Sequence, residues 1–336
     1  MKSRLTQLSN ISCPRCHCSM WSCRKGATRA ELRAFGRLFD TLPCLVFSSV
    51  YRLMWTNLAP INSIMSMKNA GAPENDADWA SFISATWAAL PKDFTMFHTP
   101  RAGDIHSAID HTIYPRPETD ESIDQLCSEA QYHKLAAVTV SPKTVRRAVQ
   151  NLQSSPDIAV ACVISYPDGT ASTSDKEKVT RGAVDQGATE IGLVINRQVL
   201  KSGKYMAIYG EIVEVRKAAP SPIKLKVIVE TIELTSDEVV AGTVIASMAG
   251  ADFVQTNTGT KNQIPTIETV GLMRSTVDAI GKGTKIKATG FYRTADQCIQ
   301  AMKAGADRVA SSASADILQE LGSEELYEQG VGHSMY

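Results

Sequence analysis

The sequence has no excess of charge of either sign, since its 336 residues include 35 basic and 35 acidic side chains. A balanced chain gives no global reason to expect binding to nucleic acid or to an acidic membrane surface. It also has no run of eighteen apolar residues, so we expect no membrane span. The nearest approach, residues 45–58, is interrupted by several polar side chains. We therefore predict a cytoplasmic protein without nucleic-acid or membrane partners.

The sequence also lacks a second set of ligands to complete a zinc site. Three cysteines within the first twenty residues form a C-x₂-C-x-C run, but the next histidine after His17 is His98, too far away for a zinc finger. We expect neither a metal nor a cofactor. Three later cysteines lie in apolar patterns and are predicted to be buried and reduced: Cys127, Cys162 and Cys298.

The first part of the chain differs from the rest. Residues 1–67 are basic, rich in Cys and Ser, and show no sustained helical or strand periodicity. Three interpretations stay open: a disordered extension, an organelle-targeting peptide, or an upstream reading frame with the true start near Met65 or Met67. We favour a disordered extension or a mis-assigned start.

A helical lead-in is predicted over residues 68–105. Its pattern places Trp79, Phe82, Ile83 and Trp87 on one side of a helix over residues 79–90. A mobile C-terminal tail is predicted over residues 323–336.

From residue 106 to residue 322, short apolar runs alternate with amphipathic stretches. Ala-Gly-Ala-Asp occurs at 249–252 and again at 304–307, where glycine provides a left-handed helix end before the next strand. Eight strands with regular crossovers predict a parallel sheet, closed as a (β/α)₈ barrel, with a doubly wound sheet as the alternative. The predicted strands are residues 108–114, 136–141, 158–165, 190–196, 225–231, 253–258, 285–290 and 308–312. Helices are predicted over 121–133, 175–186, 236–249 and 294–304, beginning near Asp120, Ser174, Thr235 and Thr294.

Several of these segments carry a recognisable pattern. Ile109-Asp110-His111-Thr112 opens the first strand, Leu225–Thr231 reads LKVIVET, and residues 194–196 with 200–203 read VIN and LKSG. Over residues 105–322 the chain resembles deoxyribose-phosphate aldolase. The resemblance implies a (β/α)₈ lyase that acts on a small-molecule carbonyl substrate, and we expect a homodimer.

The resemblance also implies a site, which this chain alters. In the family, a lysine on strand six forms a Schiff base with the substrate, but Gln255 stands there and an amide nitrogen is not nucleophilic. A family aspartate on strand four corresponds to Gly192, and a pocket cysteine on strand two corresponds to Thr139. The family's second lysine matches Lys287 on strand seven.

Other family positions retain polar side chains. Lys226 on strand five and Asp110 and Thr112 on strand one match, and Tyr336 stands where some relatives carry a proton-transferring C-terminal tyrosine. The alternative interpretation is that Tyr336 belongs to a disordered C-terminus. The resemblance also implies substrate contacts at Asn196 and Thr258.

The end of the site that binds phosphate in the family departs from its pattern. A family Gly-Gly is Gly290-Phe291 here, which adds a ring where backbone N–H groups approach the phosphate. Gly259, Gly290 and Ser312 are predicted to contact an anion, with Lys261 neutralising it. We expect a larger or less polar ligand than a sugar phosphate.

Three functions follow from these residues. The first is a diverged enzyme that performs aldol-type bond formation or cleavage, dehydration or cyclisation by acid–base and electrostatic chemistry, without the usual Schiff base. The second is a non-catalytic binding or regulatory descendant. The third is a genuine deoxyribose-phosphate aldolase whose iminium forms on Lys287.

Overall fold

The structure, a computed structural model, describes residues 67–68, 70–91, 105–113 and 117–328, with side chains described as far as residue 322. All of them belong to the unit that spans Ile64–Tyr336. The predicted extension, apart from its last residue, and Tyr336 lie outside these ranges. No helix within them is long and apolar enough to cross a bilayer.

Eight parallel strands form a closed barrel in which each strand pairs with its neighbours in sequence and β8 pairs with β1. This confirms the predicted (β/α)₈ barrel and excludes the doubly wound alternative. The strands are β1 (Ile109–Thr112), β2 (Ala137–Val140), β3 (Ala159–Ile164), β4 (Glu190–Val194), β5 (Lys224–Ile228), β6 (Phe253–Gln255), β7 (Lys285–Thr289) and β8 (Arg308–Ser311).

Helices fill the crossovers and a further helix precedes the barrel. They are α1 (Asp76–Ala89), α2 (Asp120–His133), α3 (Val145–Asn151), α4 (Thr173–Asp185), α5 (Arg197–Lys201), α6 (Tyr205–Ala218), α7 (Ser236–Met248), α8 (Ile267–Ile280), α9 (Ala295–Lys303) and α10 (Ser314–Glu328).

Side-chain oxygens cap the predicted helices, at two positions that differ from the prediction. Thr235 and Thr294 cap α7 and α9 as expected. Thr119, not Asp120, caps α2, and Ser172, not Ser174, caps α4. Both corrections have one reason: the residue whose backbone is still extended provides the oxygen, and this residue precedes the helix by one position.

Alternation along the strands divides their side chains between two environments. Outward-facing residues such as Val138, Leu193 and Val227 are fully buried against the surrounding helices. Inward-facing residues include Lys226 on β5 and Lys287 on β7, and these face one another across the barrel interior. The apolar layer between sheet and helices therefore stabilises a barrel whose interior is charged.

Helix α1 packs against α6, α7 and α8. Trp79 is completely buried, its indole N–H lies 3.1 Å from the sulfur of Met206, and Ile83 is buried beside it. Trp87, predicted for the same face, is 40% exposed. It follows Trp79 by eight residues and is therefore rotated by roughly 80° around the helix axis.

Both Ala-Gly-Ala-Asp segments form the expected turn from a helix into a strand. Gly250 and Gly305 have φ values of +84° and +110°, which L side chains rarely adopt. A Cβ at Gly305 would lie 2.5 Å from the Arg274 side chain.

Replacing Gly305 with alanine is expected to lower the free energy of unfolding by at least about 1 kcal/mol, because alanine is strained at this φ. The matched control is Gly182→Ala in α4, where a Cβ meets no atom within 4 Å. That substitution should raise the free energy of unfolding by roughly 0.5–1 kcal/mol. Urea denaturation measures both, and equal effects of the two substitutions would contradict the argument.

Candidate active site

A cavity of about 430 Å³ opens at the carboxyl ends of the barrel strands, where barrel enzymes place their active sites. One side is polar and carries Gln255, Lys287 and Thr289 from β6 and β7. The opposite side, formed from β2, β3 and β5, is mainly apolar, with Thr139 of β2 among its polar members. It is lined by Val140, Val163, Ile164, Tyr166 and Ile228.

Beneath the polar side lies a cluster of five charged side chains from five strands, which we call the charge cluster: Asp110, Glu190, Lys226, Lys287 and Arg308. Asp110 lies at its centre, 2.5 Å from the Lys226 ammonium, 2.6 Å from the Lys287 ammonium and 3.0 Å from the Arg308 guanidinium. Glu190 contacts Lys226 and, at 3.0 Å, Arg308. Of the five, Lys287 alone lines the cavity.

The charge cluster sets the protonation of its members. Burial opposes ionisation of Asp110, but the positive charges of Lys226, Lys287 and Arg308 outweigh it and hold the pKa of the Asp110 carboxyl well below its usual range. Asp110 therefore remains a carboxylate and is a poor proton donor or acceptor at neutral pH. Its position therefore suits an electrostatic anchor better than a proton-transfer group.

Burial lowers the pKa of Lys287 to about 8, against the attraction of Asp110 and with the help of repulsion from Lys226. The charge cluster contains three cations and two carboxylates, so the loss of one proton brings its net charge to zero. Arginine does not release a proton in proteins. Lys226 contacts two carboxylates and Lys287 contacts only Asp110, so Lys287 is the member that discharges most easily.

Gln255 lies next to Lys287, because their Cα atoms are partners on the adjacent strands β6 and β7. Its Nε2 donates to the backbone oxygen of Asn257 at 3.0 Å, which fixes the orientation of the amide. Within the described part of the chain, no donor reaches its Oε1. Gln255, expected from the resemblance to stand at the family's nucleophile position, therefore offers a hydrogen-bond acceptor at the cavity.

Gly192, expected from the resemblance to stand where the family carries an aspartate, is bordered by apolar side chains. A Cβ at Gly192 would lie 3.5 Å from Val163 and 3.7 Å from Ile228, both of which line the cavity. The two nearest side chains on the β4 side of the cavity are thus apolar.

Comparison with known proteins places this geometry in a family. Residues 105–307 match the model of the DeoC/LacD family aldolases. The chain belongs to this family. A deoxyribose-phosphate aldolase from Coccidioides immitis is 39% identical over 258 residues, which cover 76% of this chain and 96% of the relative.

Solved structures agree with this membership. The crystal structure of a protein from Coccidioides immitis matches with a TM-score of 0.71 and 38% identity, over 74% of this chain and 98% of that one. A deoxyribose phosphate aldolase from Aeropyrum pernix, described as tetrameric, matches with a TM-score of 0.60 and 26% identity, over 67% of this chain and 93% of that one.

The structure brings most of the aldolase-type positions together. Besides Lys287 and Gln255, seven of the predicted binding residues line the cavity. They are Thr112, Thr139, Thr258, Gly259, Gly290, Phe291 and Ser312.

Two predicted binding residues lie outside the cavity lining, and their side chains have other partners. The Asn196 side chain accepts from the N–H groups of Gln198 and Val199 and caps α5. Lys261 pairs with Glu233 at 3.3 Å. We therefore do not retain them as substrate contacts in this pocket.

Gly290 has a packing role in addition to the binding role predicted for it. A Cβ there would lie 2.5 Å from the Gln263 backbone oxygen, so the loop after β6 crosses the end of β7 at close range. The ring of Phe291 is 37% exposed and stacks 4.1 Å from the Arg293 guanidinium. Both side chains line the cavity.

Sequence reasoning missed Glu190, Arg308, Glu118 and Arg293. Strand alternation provides a signal for the first two, because Glu190 precedes Gly192 and Arg308 precedes Ala310 by two residues, which places each pair on the same face. Glu118 lines the cavity and is held by the hydroxyls of Ser141 and Thr144. Local sequence carries no signal for this contact across 23 residues or more.

The three described cysteines, Cys127, Cys162 and Cys298, are buried and free, which confirms their prediction as reduced apolar residues. Burial raises the pKa of the Cys127 thiol to about 11 and those of the other two to about 12. Among the described residues, no group of three or more His, Cys, Asp or Glu side chains is arranged to hold a metal ion.

Asp110→Asn is expected to lower the free energy of unfolding by about 3 kcal/mol, because it leaves three buried cations around one carboxylate. The matched control is Asp120→Asn, which removes an exposed carboxylate that pairs with Arg147 at 2.8 Å. Asp120→Asn should lower the free energy of unfolding by clearly less than Asp110→Asn, since exposed ion pairs are screened by solvent. Urea denaturation compares the two, and equal losses would show that the charge cluster does not depend on Asp110.

Proposed function

We propose that this protein is an aldolase-type lyase in which Lys287, and not a residue on β6, is the amine that reacts with the substrate carbonyl. The observation that carries the proposal is that Lys287 is the one member of the charge cluster at the cavity surface and the one whose proton the cluster holds least firmly. This is the third of the functions expected from the sequence, widened from deoxyribose 5-phosphate to carbonyl compounds in general.

The steps follow from a neutral amine. The Lys287 lone pair attacks the carbonyl carbon, and the carbonyl oxygen takes one proton from the amine nitrogen and one from solvent. That oxygen then leaves as water, and a C=N⁺ iminium remains. Loss of a proton from the neighbouring carbon, or cleavage of the bond beyond it, gives an enamine. Reprotonation and hydrolysis by water then release the carbonyl product and return the amine. Asp110 supports these steps by holding Lys287 in place beneath the cavity.

A second candidate uses Lys287 as an ammonium ion. Its 2.6 Å ion pair with Asp110 favours the charged form, which would polarise a carbonyl without forming a covalent bond. This is the diverged acid–base enzyme expected from the sequence. A non-catalytic descendant would react by neither route. Cytoplasmic location, a homodimer and a role for Tyr336 stay predictions.

Borohydride trapping distinguishes these functions. The protein is incubated with acetaldehyde or deoxyribose 5-phosphate, reduced, and analysed by intact mass and peptide mapping. We expect one adduct on Lys287, absent from Lys287→Met and kept in the matched control Lys261→Met, whose lysine is exposed outside the cavity. Turnover without any adduct would favour the ammonium route, and neither turnover nor adduct would favour the binding descendant.

The trapping rate should rise between pH 6 and pH 9 with a midpoint near 8, because the amine is neutral above its pKa of about 8. At pH 7 about one molecule in ten has the neutral amine. Stopped reactions at saturating borohydride and constant ionic strength give the profile. A midpoint near that of free lysine would show that burial does not activate Lys287.

A further inference from the structure

The amide of Gln255 has one orientation in the cavity wall. Only its nitrogen can donate to the Asn257 carbonyl, and rotation of the amide would bring two oxygens together. Gln255 lines the cavity, and in the described part of the chain no group donates to its Oε1, so this oxygen is available to a ligand. A ligand that displaces water from this acceptor must donate to it in turn, because leaving it unsatisfied is costly.

This acceptor has a defined neighbour. Gln255 and Lys287 are paired residues on parallel strands about 4.8 Å apart, and both side chains face the cavity. When Lys287 bonds to the carbonyl carbon of a substrate, the next carbon of that substrate therefore lies on the β6 side, close to Gln255. A carbon–hydrogen group there would leave the acceptor unsatisfied, whereas a hydroxyl would donate to it.

We propose that the pocket selects α-hydroxy ketones and α-hydroxy aldehydes, with Gln255 Oε1 accepting from the hydroxyl on the carbon next to the carbonyl. The inference rests on the proposed role of Lys287 and adds the substrate class. The hydroxyl keeps its proton throughout; only the carbonyl oxygen departs, as water, when the Lys287 amine forms the iminium. Gln255 is thus a specificity-determining residue for the reaction.

The opposite wall agrees with this class. The side chains of Val163 and Ile228 border Gly192, so they offer no hydrogen-bond partner to a second polar group on the β4 side. The hydroxyl is recognised on the β6 side and the rest of the substrate extends along apolar side chains. Deoxyribose 5-phosphate has no hydroxyl on the carbon next to its aldehyde, so this class differs from the substrate named for the relatives.

The test compares hydroxyacetone with methoxyacetone, which keeps the oxygen but lacks the donor proton. Borohydride trapping on Lys287 gives, for each ketone, the concentration that produces half-maximal adduct. The same measurement on Nα-acetyl-lysine gives the preference of a free amine for hydroxyacetone over methoxyacetone. After correction for that preference, wild-type protein should favour hydroxyacetone by about tenfold. Gln255→Met, of similar length but without the amide oxygen, should remove the preference while methoxyacetone trapping persists.

A wild-type preference equal to that of the free amine would overturn the inference, and so would a preference that survives in Gln255→Met. In either case adducts still form on Lys287 and the proposed function stands. No adduct with either ketone on a wild-type protein that still traps acetaldehyde on Lys287 would overturn the inference and leave the proposed function standing. No adduct with the ketones or with acetaldehyde would remove both. Should Gln255→Met fail to fold, the wild-type comparison with the free amine still decides.

Discussion

The attraction between Asp110 and three cations inside the barrel is the interaction on which both the fold and the site depend. Its partners come from β5, β7 and β8, and Glu190 on β4 completes the charge cluster. Charges removed from water are costly unless they are closely paired, so these strands must close around one another in the correct register. A slip by one residue would turn each charge into the apolar layer beneath the helices. The cluster therefore ties barrel closure to the position of Lys287.

The same cluster decides which amine is available for chemistry. Three cations against two carboxylates leave one surplus positive charge in a space from which water is largely excluded. Lys226 is held by two carboxylates, whereas Lys287 has one and opens onto the cavity. The reactivity that we propose for Lys287 would thus follow from an uneven distribution of contacts, and a carboxylate as strongly ionised as Asp110 is better suited to hold an ammonium than to move protons.

The fold could be predicted because its signals are local and repeated. Eight apolar runs, caps such as Thr235 and the glycine turns at Gly250 and Gly305 each depend on neighbours within a few residues. The site was predicted largely through resemblance, and the missed residues show the reason. Arg308 and Glu190 meet across 118 positions, and no local pattern encodes that contact. Strand alternation alone would place Glu230 on the same face as Lys226, but β5 ends at Ile228, and Glu230, with φ at +62°, accepts from the Thr258 N–H instead.

The two changes from the family pattern are best understood as one. The resemblance implies a family lysine at the position of Gln255 and a family aspartate at that of Gly192, so the two changes together would remove one positive and one negative charge. The net charge around the cavity is unchanged, and the surplus cation of the charge cluster remains. Loss of the lysine alone would have left a carboxylate near the cavity to pair with Lys287 and raise its pKa. Because no carboxylate stands at Gly192 and its neighbours Val163 and Ile228 are apolar, the pKa of Lys287 stays low, as its proposed role as the amine nucleophile requires.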